Sequence, residues 1–342
     1  MCQYSAHDGS ATDWHMIHLG NLSLSGAGLL IIEATSVVPE GRISPADLGL
    51  WSDENEIALA SVLKAIRTYS EIPVAIQLAH AGRKASCEIP WKGHGVVPPS
   101  EGGWRVLAPS PIPFNPDDPE PIALDETGLK HIKDAFVAAA CRADRLGIDA
   151  IELHAAHGYL LHQFLSPLSN QRTDNYGGSL ENRMRVPLEV FDAIRSTFSS
   201  HKPIGVRISG TDWVPGGWDV DQSIILTKEL ERRGCAYLHV SSGGLSPLQQ
   251  IPIGPNYQVP LAECIKKETL LPIIAVGLIT EPEQADEIIA SGKADLVALA
   301  RGMLFNPRWP WYAAAKLGAQ VEAAPQYWRA QPHGHKDLFK MS

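Results

Sequence analysis

Three side chains able to hold an oxygen and hand it a proton fall within six positions: His154, His157 and Tyr159. They close a short apolar run, Asp149-Ala-Ile-Glu-Leu-His-Ala-Ala-His-Gly-Tyr159, which continues Leu-Leu-His-Gln-Phe-Leu-Ser166. A buried strand has no use for such residues. Two imidazoles can hold an oxygen through their N–H groups. A phenol can hand it a proton. Two histidines three apart at a strand end also suit a metal ion, with His80 as a third ligand. That second reading makes the chain a metal-dependent barrel hydrolase.

The elements that must position this group alternate strictly. Thr12 to Ser25 has the pattern of a helix, and Gly28 to Ala34 that of a buried strand. Helices are then expected over 53–69, 125–146, 182–198, 219–233, 259–268, 281–291 and 307–317. Strands are expected over 73–79, 149–155, 203–209, 235–241, 272–277 and 294–300. Continuous apolar strands between helices belong to a parallel sheet covered on both faces. Seven strands are visible, whereas a (β/α)8 TIM barrel has eight. The chain opens on a loop and helix, so the first barrel strand is expected to precede Met1. A barrel short of a strand exposes sheet edges and would hold a flavin poorly, or only within an oligomer. An open doubly wound sheet would instead carry a Gly-rich fingerprint after its first strand, and none is present.

Residues 1–318 are expected to form this single barrel, with 319–342 as an irregular C-terminal tail. The stretch 82–125 is rich in proline and glycine, and carries Trp91 and Trp104. A loop of this length inside a compact domain is usually a functional excursion over a site.

Composition narrows the class. The 342 residues carry a formal net charge of -9 and show no basic stripe, which argues against a nucleic-acid partner. No apolar run approaches the ~20 residues of a membrane span. Met1-Cys-Gln-Tyr-Ser-Ala-His-Asp is polar from the outset, so no leader is expected. The cysteines, Cys2, Cys87, Cys141, Cys235 and Cys264, are odd in number and lack a C-x-x-C pair. Neither a zinc site nor an iron–sulfur cluster is suggested, and a reducing cytoplasm is the simplest compartment.

In a barrel the active site lies at the C-terminal strand ends. Here these are Glu33-Ala-Thr35, Gln77-Leu-Ala-His80, His154 to Tyr159, Arg207, Ser241-Ser-Gly-Gly244, Gly277 and Ala300-Arg-Gly302. Arg207 and Arg301 fall among glycines near the last strands, where barrels usually bind phosphate. A phosphate-bearing cofactor is expected.

These residues also resemble the Old Yellow Enzyme family of FMN-dependent ene-reductases, in its bacterial thermophilic-like branch, over nearly the whole chain. The resemblance is carried by Met1-Cys-Gln-Tyr4, Glu33-Ala-Thr35, Gln77-Leu-Ala-His-Ala-Gly-Arg-Lys84 and His154-Ala-Ala-His-Gly-Tyr159. Asn170 to Gly178, Ser179-Leu-Glu-Asn-Arg183, Val276-Gly277 and Leu299-Ala-Arg-Gly302 complete it. Each motif is weak alone, but their order and spacing are specific. The resemblance implies that Gln77 binds the isoalloxazine pyrimidine edge and that Ala34 lies against the ring. It places Arg207 near N1, and Gly277, Arg301 and Gly302 on the phosphate. Cys2 is implied near N5 and, with Tyr4, in the substrate pocket.

The implied reaction consumes NADPH or NADH to reduce FMN, and the flavin then passes a hydride to the β-carbon of an enone-type substrate. His154 and His157 would hold the carbonyl, and Tyr159 would protonate the α-carbon. Classical members pair His with Asn, so His157 departs from them. Gln326-Tyr-Trp-Arg329 matches a C-terminal motif that reaches a neighbouring subunit's site. Arg329 and Trp328 are therefore implied to act in trans within a homodimer or homotetramer. The stretch 172–183 is read mainly as a loop and helix cap, with Ser179 capping.

Overall fold

The structure is a computed structural model and describes residues 1–93 and 95–340. Position 94 of the excursion and the last two residues of the tail lie outside the described residues. Seven parallel strands form one sheet in sequence order. They are β1 (Leu30–Ser36), β2 (Val74–Ala79), β3 (Ala150–Ala155), β4 (Ile204–Ser209), β5 (Tyr237–Ser241), β6 (Ile273–Val276) and β7 (Leu296–Ala298). The principal helices are α1 (Asp13–Ser23), α2 (Asp53–Tyr69), α3 (Glu126–Arg145), α4 (Leu160–Leu165) and α5 (Leu180–Thr197). After these come α6 (Val220–Arg232), α7 (Val259–Lys266), α8 (Pro282–Ala290), α9 (Arg301–Phe305) and α10 (Trp309–Leu317). This is the α/β barrel architecture expected from the alternation, with the strand count as read.

Helix starts follow local chemistry. The side chains of Ser52, Asp125, Ser179 and Asp219 each accept a backbone N–H from the first turn. Such a cap contributes about 1 kcal/mol. Ser179 is therefore the cap expected of it.

Strands β2 and β3 are buried along their whole length, whereas β7 is shorter than its apolar run and leaves Leu296 at 44% exposure. The difference is one of position, since β7 pairs only with β6 among the described residues. An edge strand loses pairing and burial on one side.

The tail is not irregular throughout, which corrects the expectation. Val321–Glu322 pairs in parallel with Phe339–Lys340, and Pro325–Ala330 forms a 3-10 turn. Val321, Leu338 and Phe339 pack on Ala314, Trp311 and Trp328. An apolar surface on α10 therefore gives the tail its structure within the same chain.

Candidate functional site

Register brings the site's polar side chains together. Ala34 pairs with Gln77, Gln77 with Glu152, His154 with Arg207, and Arg207 with His239. Strand side chains alternate, so Glu152 and His154 project from the same face of β3. A bulge between Ile32 and Ala34 re-aims β1. The Glu33 carboxylate there accepts the Gln3 N–H at 2.5 Å, holding the Cys2–Tyr4 segment beside the sheet.

His154, His157 and Tyr159 form one compact group. The His154 ring lies edge-on to His157 at 5.1 Å and to Tyr159 at 4.9 Å between centroids. His154 Nε2 and His157 Nδ1 are 3.4 Å apart. His157 sits in the left-handed region, with φ at 59°. A bulky non-glycine residue adopts that conformation only where its surroundings over-determine it. Here the Ser209 hydroxyl accepts its N–H at 2.9 Å, and half-buried Lys84 donates to its carbonyl at 2.9 Å. Lys84 also reaches the Gly244 carbonyl at 2.8 Å, tying the β3 loop to the β5 loop. The backbones meet so closely that a Cβ on Gly158 would stand 2.1 Å from the Gly244 oxygen. Beneath the turn, His162 Nδ1 accepts the Gly158 N–H, and its Nε2 lies 2.9 Å from Asp212.

Burial sets the protonation states. It drives both His154 and His157 well below the ordinary histidine range, and the Arg207 charge adds to the effect. It raises the Tyr159 phenol well above 10, helped by Cys2, Tyr4 and Asp47. The group therefore offers two neutral imidazoles and a protonated phenol at neutral pH.

The neighbouring strand ends fit a flavin. Burial opposes ionisation of Glu152, but His239 and Arg207 outweigh it and hold the carboxyl at about 2. Its Oε1 faces Gln77 Nε2 at 2.5 Å and its Oε2 faces His239 Nδ1 at 2.9 Å. A carboxylate only accepts, so the Gln77 amide must turn its N–H to Glu152. Gln77 Oε1 is thereby left as an acceptor for a ring N–H. Arg207 donates no hydrogen bond to the described residues, and its Nε is buried without a partner. Such a guanidinium calls for an electron-rich oxygen or an anion. Gly277 has φ at 120°, and a Cβ there would stand 2.4 Å from Gln258 Nε2. Only glycine fits that turn. Pairing of Val276 with Ala298 brings Gly277 toward Arg301 and Gly302, which open α9.

The long excursion is latched over this site. Arg83 donates to the carbonyls of Ile112, Pro113 and Leu245. Arg172 reaches those of Pro109 and Leu124. Trp104 donates to the Glu40 carbonyl, and the Arg42 guanidinium lies over both Trp104 and Trp51. Cys2, Tyr4, Trp104, Val106 and Tyr159 pack around Ile43, Ala81 and Ala85. Cys2 and Tyr4 thus pack on the same cluster as Tyr159. Trp328 belongs to the separate tail cluster and Arg329 is exposed, so this chain does not bring them to its own site.

His80 does not join a metal centre, which corrects the hydrolase reading. Its Nδ1 accepts the Gly82 N–H at 3.0 Å. Among the described residues no three His, Cys, Asp or Glu side chains are placed to share an ion.

Burial of His80 is expected to make stability fall in acid. Burial pulls it to about 3. Between the ordinary histidine value of ~6.5 and 3, the unfolded chain binds a proton that the native state refuses. Stability is complete above 6.5 and falls as pH drops through that window. The loss at pH 5 is about 2 kcal/mol for this group, and His154 and His157 act in the same direction. Urea melts at pH 7.5 and 5 should show it, and His80→Asn should flatten the slope. An unchanged slope in that variant would overturn the assignment.

Sequence reasoning passed over Ser209, His239 and Gln258, and gave no role to Lys84, Glu152 and Ser241, which it met only within motifs and strand ends. The available signal was a titratable residue inside an apolar run, at Glu152 and His239.

A barrel with twin imidazoles, a buried phenol and a cradle for a flavin defines a cofactor-dependent oxidoreductase. The model of the NADH:flavin oxidoreductase / NADH oxidase family matches residues 1–320. The chain is 45% identical to an NADH:flavin oxidoreductase of Gibberella zeae, over 95% of this chain and 83% of that protein. It is 43% identical to an NADPH dehydrogenase of Geobacillus thermodenitrificans, over 96% and 92% of the two chains. Among solved structures, morphinone reductase matches with a TM-score of 0.76 at 30% identity, covering 95% of this chain and 86% of that one. A 2-naphthoyl-CoA reductase shares the fold, with a TM-score of 0.81 at 23% identity over 92% and 49% of the chains. The chain belongs to the NADH:flavin oxidoreductase family, the Old Yellow Enzyme family that its motifs resemble.

Proposed function

We propose that this FMN- and NAD(P)H-dependent oxidoreductase reduces the activated C=C bond of α,β-unsaturated carbonyl compounds. The observation that carries the proposal is the pair of neutral imidazoles, 3.4 Å apart, beside a protonated phenol. FMN, when bound, supplies the hydride. His154 and His157 hold the substrate carbonyl by N–H donation, which strengthens as negative charge grows on the oxygen. Tyr159 gives its proton to the α-carbon. Gln77 and Arg207 hold the pyrimidine side of the ring, and Gly277, Arg301 and Gly302 the phosphate. The Ala34 backbone lies against the ring, and the Cys2 thiol stands beside it. Tyr4 and Trp104 bound the substrate.

The test is an absorbance spectrum. Pure protein with FMN should be yellow, bleach with NADPH under anaerobic conditions and recover its colour with cyclohexenone. A protein that takes up no FMN, or that stays bleached with the enone, would refute the proposal.

A further inference from the structure

His157 has two ring nitrogens, and which of them carries the proton decides whether it can help His154 hold an oxygen. His154 leaves no choice. Its Nδ1 accepts the Ala156 N–H at 3.2 Å, so a neutral ring carries its proton on Nε2. That Nε2 faces His157 Nδ1. On the far side of the ring, His157 Nε2 lies 2.7 Å from the Ser241 hydroxyl at the end of β5.

Ser241 has one proton and two acceptors. Gln258 Oε1 stands 3.3 Å away. The Gln258 amide donates through Nε2 to the Val276 carbonyl at 2.8 Å, so its oxygen is fixed as an acceptor. That oxygen already has a donor in Ser242, at 2.7 Å. The shorter contact and the unserved acceptor are both at His157.

We propose that the Ser241 hydroxyl donates to His157 Nε2 and thereby sets the tautomer that turns His154 and His157 into a twin N–H donor for the substrate oxygen. The inference rests on the oxyanion-holding role above. With the Ser241 proton on Nε2, the His157 proton sits on Nδ1, and both imidazole N–H groups converge on one place. With the hydroxyl turned to Gln258, His157 carries its proton on Nε2. His154 then donates to His157, His157 to Ser241, and neither faces a substrate. Rotation of one hydroxyl, coupled to loss of the proton from one His157 nitrogen to solvent and its return to the other, therefore switches the pair between open and self-paired states. Ser241 is a positioning residue, since it acts through His157.

Nitrogen-15 NMR of labelled histidines in the FMN-loaded protein reads the tautomer directly, with 4-chlorophenol as the bound oxyanion. The complex should show His157 protonated on Nδ1 and bare on Nε2. S241A should lose that preference and bind the phenol roughly two- to tenfold more weakly, the range expected for one hydrogen bond. S241T, which keeps the hydroxyl, should behave as the parent protein. A His157 proton on Nε2 in the parent complex would overturn the inference without any variant. So would an S241A protein that binds the phenol as the parent does. If phenol binding survives removal of both imidazoles, the oxyanion role itself fails. If it is lost there but intact in S241A, only the Ser241 assignment fails.

Discussion

Tyr159→Phe is expected to slow the oxidative half-reaction by roughly 10²–10⁴-fold, the usual contribution of a positioned general acid. Bleaching by NADPH should stay near the parent rate. The asymmetry follows from geometry. The phenol packs edge-on to His154, next to the oxygen site, and burial keeps it protonated. In the proposed reaction its proton is needed when the enone is reduced and not when NADPH is oxidised. Phenylalanine preserves the ring and its contacts with Ile43, Ala81 and Ala85. Anaerobic stopped-flow separates the halves. Equal losses in both would mean that Tyr159 shapes the pocket and donates nothing.

Removing the imidazoles should cost as much by a different route. One preorganised donor to a developing oxyanion is worth roughly 10²–10³-fold in rate. His154→Ala combined with His157→Ala should lose more than either alone. The sum need not be additive, because the two rings are in contact. The double variant should also lose the long-wavelength charge-transfer band of a phenol bound over the flavin. A persistent band would show that the oxygen is held elsewhere. His157→Asn is the informative intermediate, because an amide supplies an N–H without a tautomer to choose. It should retain more activity than His157→Ala and owe nothing to Ser241.

The group of His154, His157 and Tyr159 was legible in the chain because it violates its context. Two histidines and a tyrosine end an apolar run that needs none of them. The barrel was legible for a related reason, since strand and helix periods alternate and most boundaries fall within two residues. The supporting shell was not legible. Glu152 meets His239 across 87 positions, and Lys84 meets Gly244 across 160. Those meetings depend on strand register, which local pattern does not report. The tail was misread because its short ladder joins residues 18 apart, with apolar packing on α10 that no periodicity announces.

The excursion over the site has a consequence for how such an enzyme diversifies. Its anchors, Arg83 and Arg172, grip backbone carbonyls at Ile112, Pro113, Leu245, Pro109 and Leu124. A carbonyl is present whatever the side chain, so these grips do not read the sequence they hold. The imidazole pair is braced separately, by Ser209, Lys84 and Ser241. Selection can therefore rewrite the exposed part of the covering segment while Trp104, Val106 and Phe114 keep its contact with the site. In engineering terms, a library confined to the exposed positions 115, 116, 117, 119 and 120 would vary the covering segment while leaving Val106 and Phe114, which pack on the site and under Lys84, in place.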